Sequence, residues 1–272
     1  MKIYYFIQQN ISLDKKTYTM AVITKLLLYF KCLLLRFLPQ LTLKLLKIVK
    51  WLVFSILIAY LALLIVFRWL PLPTSAFIWH QNQLAAHAPN IYQPANYEWI
   101  NWEEISPEIA LAVISAEDQR FPTHWGIDTV ELRKVLSNAY HKKASIRGAS
   151  TLTQQLAKNL FLWNGRSYKR KILEAFIAVS LELFWSKKRI LEVYLNVAQF
   201  ADVTFGVKAS CKRLFSKPPK NLTREEAAYL AAVLPTPAKS DIHNPSESLK
   251  KRQRWILKQM KQLGGVSYLK KL

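Results

Sequence analysis

Glycine is scarce, six in 272 residues. A sheet-rich fold with many tight turns draws on glycine where the backbone needs positive φ, so the shortage argues against one. No stretch alternates apolar and polar residues as a half-buried strand does, and no internal repeat is present. Cysteine is limited to Cys32 and Cys211, which lie on either side of the apolar run described below. If that run spans a bilayer, the two thiols face different compartments, and neither a disulfide nor a cysteine-ligated metal is expected. His124 has no second histidine or carboxylate at metal spacing and reads as a structural, hydrogen-bonding histidine. Acidic residues are also few, 17 against 39 Lys and Arg, for a net charge of +22. That excess points to an anionic partner: nucleic acid, phospholipid or a phosphorylated substrate.

The positive charge falls in two parts. Residues 1–50 carry nine Lys and Arg and one acid, Asp14; residues 71–272 carry 29 and 16, an excess of 13. Between them, residues 51–67 hold no charge, bounded by Lys50 and Arg68, with Trp51 and Trp69 at the ends where interface anchors are expected. The run is at the short end of what crosses a hydrocarbon core of about 30 Å. The basic lead-in keeps the N-terminus in the cytoplasm and exports the rest. No small-residue cleavage site follows, so the segment reads as an uncleaved anchor. The expected organisation is a basic cytoplasmic segment (1–50), a transmembrane helix (51–70), a connector (71–100) and one domain (101–272). Residues 21–46 read as a basic amphipathic helix on the inner leaflet, and residues 1–19 as an irregular extension.

The exported domain reads as all-α. Ser106-Pro107 is a helix start with a hydroxyl cap and proline at the first position. The apolar spacing that follows places Glu117 near the end of a packed helix. Asp128-Thr-Val-Glu131 and Thr223-Arg-Glu-Glu226 are capping boxes. Helices are expected over 150–161, over 167–185 with Ile172, Phe176, Val179 and Leu183 as the core stripe, over 186–196 and over 252–263.

Three clusters could do chemistry. Glu117-Asp118 ends an apolar run, so Glu117 can sit partly desolvated, which raises its pKa towards that of a useful base. Adjacent carboxylates at a helix end are more often merely solvated, but Phe121, His124 and Gly126 follow at fixed intervals. Gly148, Ser150, Thr151, Gln154 and Gln155 offer hydroxyls, amides and a helix N-terminus, a set suited to a sugar diphosphate; the plainer role is capping. Arg170, Lys171 and Glu174 share a helix face, with Lys158 able to join them. They read either as a surface ion-pair patch or as a cationic clamp for a diphosphate with a second carboxylate beside it.

In order, these stretches resemble the motifs of the peptidoglycan glycosyltransferases (family 51), lysozyme-like enzymes. Glu-Asp-Gln-Arg-Phe-Pro-Thr-His-Trp-Gly and Arg-Gly-Ala-Ser-Thr-Leu-Thr-Gln-Gln are similar to the first two motifs. Arg170-Lys171-x-x-Glu174 with Ala178, Leu181 and Glu182 is similar to the third. Ser186-Lys187-x-x-Ile-Leu-Glu-x-Tyr-Leu-Asn196 is similar to the fourth, and Phe205-Gly206 through Leu234-Pro235 to the closing region. With no second large domain after them, the likeness is to the monofunctional biosynthetic type. The departures are Ala149 in place of a second glycine, Gln199 where a glutamate is usual, and Ser216 in place of a glycine.

The resemblance implies a bacterial inner-membrane, single-pass protein with its catalytic domain in the periplasm. The substrates implied are lipid II and the nascent glycan strand, and division or elongation proteins are the partners implied, not nucleic acid. Glu117 is then the general base and Glu174 the second catalytic carboxylate. Asp118, Phe121, Gly148, Ser150, Thr151, Gln154, Gln155, Lys158, Arg170 and Lys171 are then substrate contacts. No cofactor is obligatory, and a divalent cation, magnesium or manganese, is left open at Glu174. The rival readings are a lysozyme-like hydrolase or lytic enzyme, which leaves the Arg170-Lys171 clamp unexplained, and a non-enzymatic cell-wall adaptor.

Overall fold

A computed structural model describes residues 2–142, 150–165, 167–237 and 244–272. The chain divides into two units, residues 1–62 and 63–272. The first unit is helical: α1 (Lys2–Val66) runs through the stretch 2–19 that was expected to be irregular. Nothing in residues 2–19 breaks a helix, since they contain no proline and no glycine. The α1 stretch Thr42–Val66 holds 18 residues of mean hydropathy 2.5, long and apolar enough to cross a membrane.

The second unit is helical with very little strand, as the sequence implied. α2 (Ala76–His87) lies within the connector and is started by Ser75, whose hydroxyl accepts from Ile78 N. α3 (Pro107–Glu117) opens on the Ser106 cap and is buried from Ile109 through Ser115. α4 (Thr129–Lys142) follows, and then α5 (Leu152–Phe161), α6 (Tyr168–Phe184) and α7 (Lys187–Val197). After them come α8 (Val207–Phe215), α9 (Arg224–Val233) and α10 (Glu247–Gln262). α3 packs on α9 and α10, and α5 packs on α6 and α7, so the two packed sets meet where α3 ends and α5 begins. Three short strands, not foreseen, form one small sheet: β1 (Asn96–Tyr97) runs parallel to β3 (Thr204–Phe205), which runs antiparallel to β2 (Gln199–Ala201). The turn into α8 needs Gly206, at φ 81°, because a Cβ there would overlap the Asn196 carbonyl.

Of the two capping boxes, Thr223–Glu226 is complete. At the other, the Asp128 carboxylate accepts from the backbone N–H groups of Val130 and Glu131, but Glu131 turns away to Lys134.

The face of α6 that enters the core is opposite to the expected one. Ile172, Phe176 and Leu183 are 70%, 60% and 65% exposed, while Glu174, Ile177, Ala178, Leu181 and Glu182 are buried. Two contacts decide this. Gly126 lies so close to α6 that a Cβ on it would stand 3.0 Å from the Ala178 carbonyl group, so the helix backbone comes hard against this turn at position 178. The inward acids are also satisfied: Glu182 accepts from Thr153 Oγ1 at 2.6 Å and from Lys187 Nζ at 2.7 Å. A polar face with internal partners can be buried, and the large apolar residues are left outside.

Candidate active site

The site is assembled at the junction of α3 and α5. α3 ends at Glu117, and Asp118 breaks from the helix as its C-terminal cap. The Asp118 carboxylate accepts from Leu152 N, the first residue of α5, and from His124 Nε2, all at 3.0 Å. It therefore ties one helix end to the other helix start. Thr151 Oγ1 accepts from Gln154 N and donates to the Gly126 carbonyl at 2.6 Å, while the Gln154 side chain closes the capping box on Thr151 N. Thr151 and Gln154 are thus buried helix caps, and Thr151 also lines the cleft described below. Phe121 is fully buried, edge-on to His124 and with Lys187 Nζ 4.5 Å from its ring centroid, so it stands behind the site. Asp118 braces the two helices and also lines the cleft. Gly148 lies outside the described residues.

Glu117 faces a cleft. One oxygen accepts from Gln155 Nε2 at 2.8 Å and the other from Arg252 Nη2 at 2.8 Å. Gln155 is itself fixed by the fully buried Tyr194, whose hydroxyl donates to Gln155 Oε1 at 2.9 Å. Burial raises the Glu117 pKa above the usual glutamate value; Gln155 and Arg252 pull it back only in part. The cleft in front of it, about 360 Å³, is lined by Glu117, Ser150, Arg120, Lys134 and Trp255 among others. Tyr194 and Arg252 were not recognised as site residues in the sequence. Arg252 lies 135 positions from Glu117, and no local spacing announces the pairing.

The cationic cluster reaches this cleft through Ser150. Lys171 Nζ donates to Ser150 Oγ at 2.8 Å and also pairs with Glu174 Oε1. Arg170 Nη1 donates to Glu174 Oε2 at 2.6 Å. Lys158 is held below the usual lysine pKa by burial, against the pull of Glu174 and with the push of Arg170 and Lys171. Five of the expected residues, Ser150, Lys158, Arg170, Lys171 and Glu174, therefore gather, and Gln155 is bonded to Glu117.

Glu174 does not suit a divalent ion. Both of its oxygens already face cationic groups, and a metal would have to displace them. Among the described residues the potential ligand set is Asp118, His124 and Asp128. Its oxygens are occupied by backbone N–H groups, His124 and Arg120, so it reads as a brace as well.

Comparison with known proteins follows the same region. A family model described as Transglycosylase matches residues 82–261, a span that contains every residue of this site. A biosynthetic peptidoglycan transglycosylase of Klebsiella oxytoca is 50% identical over 204 residues, 75% of this chain and 84% of the relative. The protein of that name from Escherichia coli O139:H28 is 50% identical over 199 residues, 73% of this chain and 82% of the relative.

Proposed function

The chain belongs to the transglycosylase family and is a peptidoglycan glycosyltransferase; from that premise we propose that it polymerises lipid II into β-1,4-linked glycan, with Glu117 as the general base. The observation that carries the reading is a desolvated carboxylate and a cationic cluster joined through one helix start. Glu117, held by Gln155 and Arg252, lines the same cleft as Ser150, and Ser150 is bonded to Lys171.

The step balances as follows. The Glu117 carboxylate takes the proton from the 4-hydroxyl of the acceptor GlcNAc. That oxygen forms the new bond to C1 of the donor MurNAc. The bond between C1 and the phosphate oxygen breaks, and undecaprenyl diphosphate leaves with the electron pair. Attack opposite the leaving group converts the α-linked diphosphate to a β-linkage. Arg170, Lys171 and Lys158 take up the charge that develops on the diphosphate, and Glu174 holds Arg170 and Lys171 in place. A raised pKa suits Glu117 for the task, since a base nearer neutrality recovers and releases its proton readily. Ser150 and Trp255 are placed to meet the sugars.

In this reading the protein is a single-pass inner-membrane protein with the catalytic unit on the outer side. The apolar stretch Thr42–Val66, the basic residues ahead of it, and the exposed apolar face of α6 support it. The test is polymerisation of labelled lipid II by the purified chain. Glu117→Gln is expected to lower the rate by a factor of about 10²–10⁴, the usual worth of a general base. Normal polymer from that variant would remove Glu117 from its role.

A further inference from the structure

A second cleft, of about 350 Å³, lies at the end of α5 far from Glu117. Its walls are aromatic: Phe77 and Trp79 of α2, Phe161 at the close of α5, Trp163 just beyond, and Phe205 of β3. Among the described residues no Asp, Glu, Lys or Arg lines it. Its longer amides are already used, since Gln81 Nε2 donates to the Gln93 carbonyl at 2.7 Å and Gln199 Nε2 to the Asp202 carbonyl. A sugar would find few donors here. What the cleft offers is ring surface, and Trp79 and Trp163 are 58% and 54% exposed at it. Large aromatic surface left open beside a concavity marks a place where an apolar ligand sits.

α5 sets the distance between this cleft and the catalytic one. Thr151 caps it beside the Glu117 cleft, Lys158 stands midway along it, and Phe161 ends it. Ten helical residues rise about 15 Å. Lys158 bridges the two regions, feeling the charges of Arg170, Lys171 and Glu174 while its ammonium stands 5.3 Å from the Phe77 ring centroid. Phe161 also borders a smaller apolar cavity, about 120 Å³, with Leu63, Leu64 and Phe67 at the close of α1. Apolar surface therefore continues from Lys158 to those residues.

A diphosphate diester has two arms. With the sugar arm directed towards Glu117, the arm beyond the cations meets the aromatic wall. We propose that the cleft formed by Phe77, Trp79, Phe161, Trp163 and Phe205 binds the first isoprene units of a polyprenyl diphosphate, donor and leaving group alike. The inference rests on the lipid II reading above, and it adds a lipid subsite that reads the prenyl chain directly. Phe77 and Trp79 stand ahead of the region matched by the family model, so part of this subsite comes from outside it.

The test needs no glycosyl transfer. Calorimetry on the full chain in nanodiscs compares farnesyl diphosphate with inorganic diphosphate. The wild type should bind the farnesyl ester at least about tenfold more tightly, a difference of ~1.4 kcal/mol. Trp79→Ala/Trp163→Ala should cut that preference below about threefold while leaving inorganic diphosphate affinity unchanged, which also reports an intact cationic cluster. No preference in the wild type overturns the proposal. So does a full preference retained by the double variant, which would put the chain elsewhere on the surface, or an equal loss for both ligands. The two readings fail separately. Lipid II polymerisation without prenyl preference removes only the cleft; prenyl preference without polymerisation removes only the reaction.

Discussion

Replacing Arg252 by methionine should move the acid limb of the pH–rate profile upward and cost about tenfold in kcat/KM there. Arg252 Nη2 stands 2.8 Å from Glu117 Oε1, and the two side chains are 34% and 15% exposed. Unit charges at about 4 Å with an effective dielectric near 20 interact by ~4 kcal/mol. Water at the arginine end screens the pair, and ~1–2 kcal/mol is the better figure for a contact so open on one side. Losing the arginine therefore raises the Glu117 pKa beyond the rise that burial already causes, and ~1.4 kcal/mol is a tenfold change in the ionised fraction. The sign follows from the role. A base must be ionised, and raising its pKa shrinks the ionised fraction at a given acidic pH, so kcat/KM falls there and recovers as pH rises. The assay is kcat/KM for lipid II from pH 5 to 9. Arg252→Met should lose about tenfold on the acid limb and little on the alkaline plateau, and Arg252→Lys should return the limb close to that of the wild type. An unmoved limb with a uniform loss at every pH would refute the reasoning, because Arg252 would then act on substrate and not on the ionisation of Glu117.

Two further outcomes test the packing. Glu174→Ala leaves Arg170, Lys171 and Lys158 together without their acid, and should destabilise the protein by about 3 kcal/mol in chemical unfolding, with Lys158→Met in the same chain restoring part of it. Phe176→Ser on the outer face of α6 should change stability by less than about 0.5 kcal/mol, whereas Ala178→Leu, against the backbone at Gly126, should cost more than about 2 kcal/mol.

Which residues were legible in the sequence follows from the range of the interactions. Ser106-Pro107, Thr223 with Glu226, and Arg170-Lys171 with Glu174 all act within one turn of helix, and each was found where its spacing placed it. Thr151 and Gln154 fall where the sequence placed them, and the structure shows them as a capping box, a role the same hydroxyls and amides can share with a sugar-binding turn. Phe121, expected among the substrate contacts, is fully buried with Lys187 and His124 against its ring.

The sequence by itself determined the helical class, the apolar span, the basic excess, the order of the motifs and the identity of the carboxylate at the end of α3. These depend on composition and on periodicities of a few residues, which a linear string records in full. Only the tertiary structure decided that α6 buries its acids and exposes Phe176, that Tyr194 and Gln155 stand behind Glu117, and that Arg252 arrives from α10 to share its charge. Each depends on surfaces that meet from 29 or more positions apart, Thr153 with Glu182 and Gln155 or Arg252 with Glu117 among them, and that is settled by close packing and by where buried polar groups find partners, neither of which is written into any local spacing.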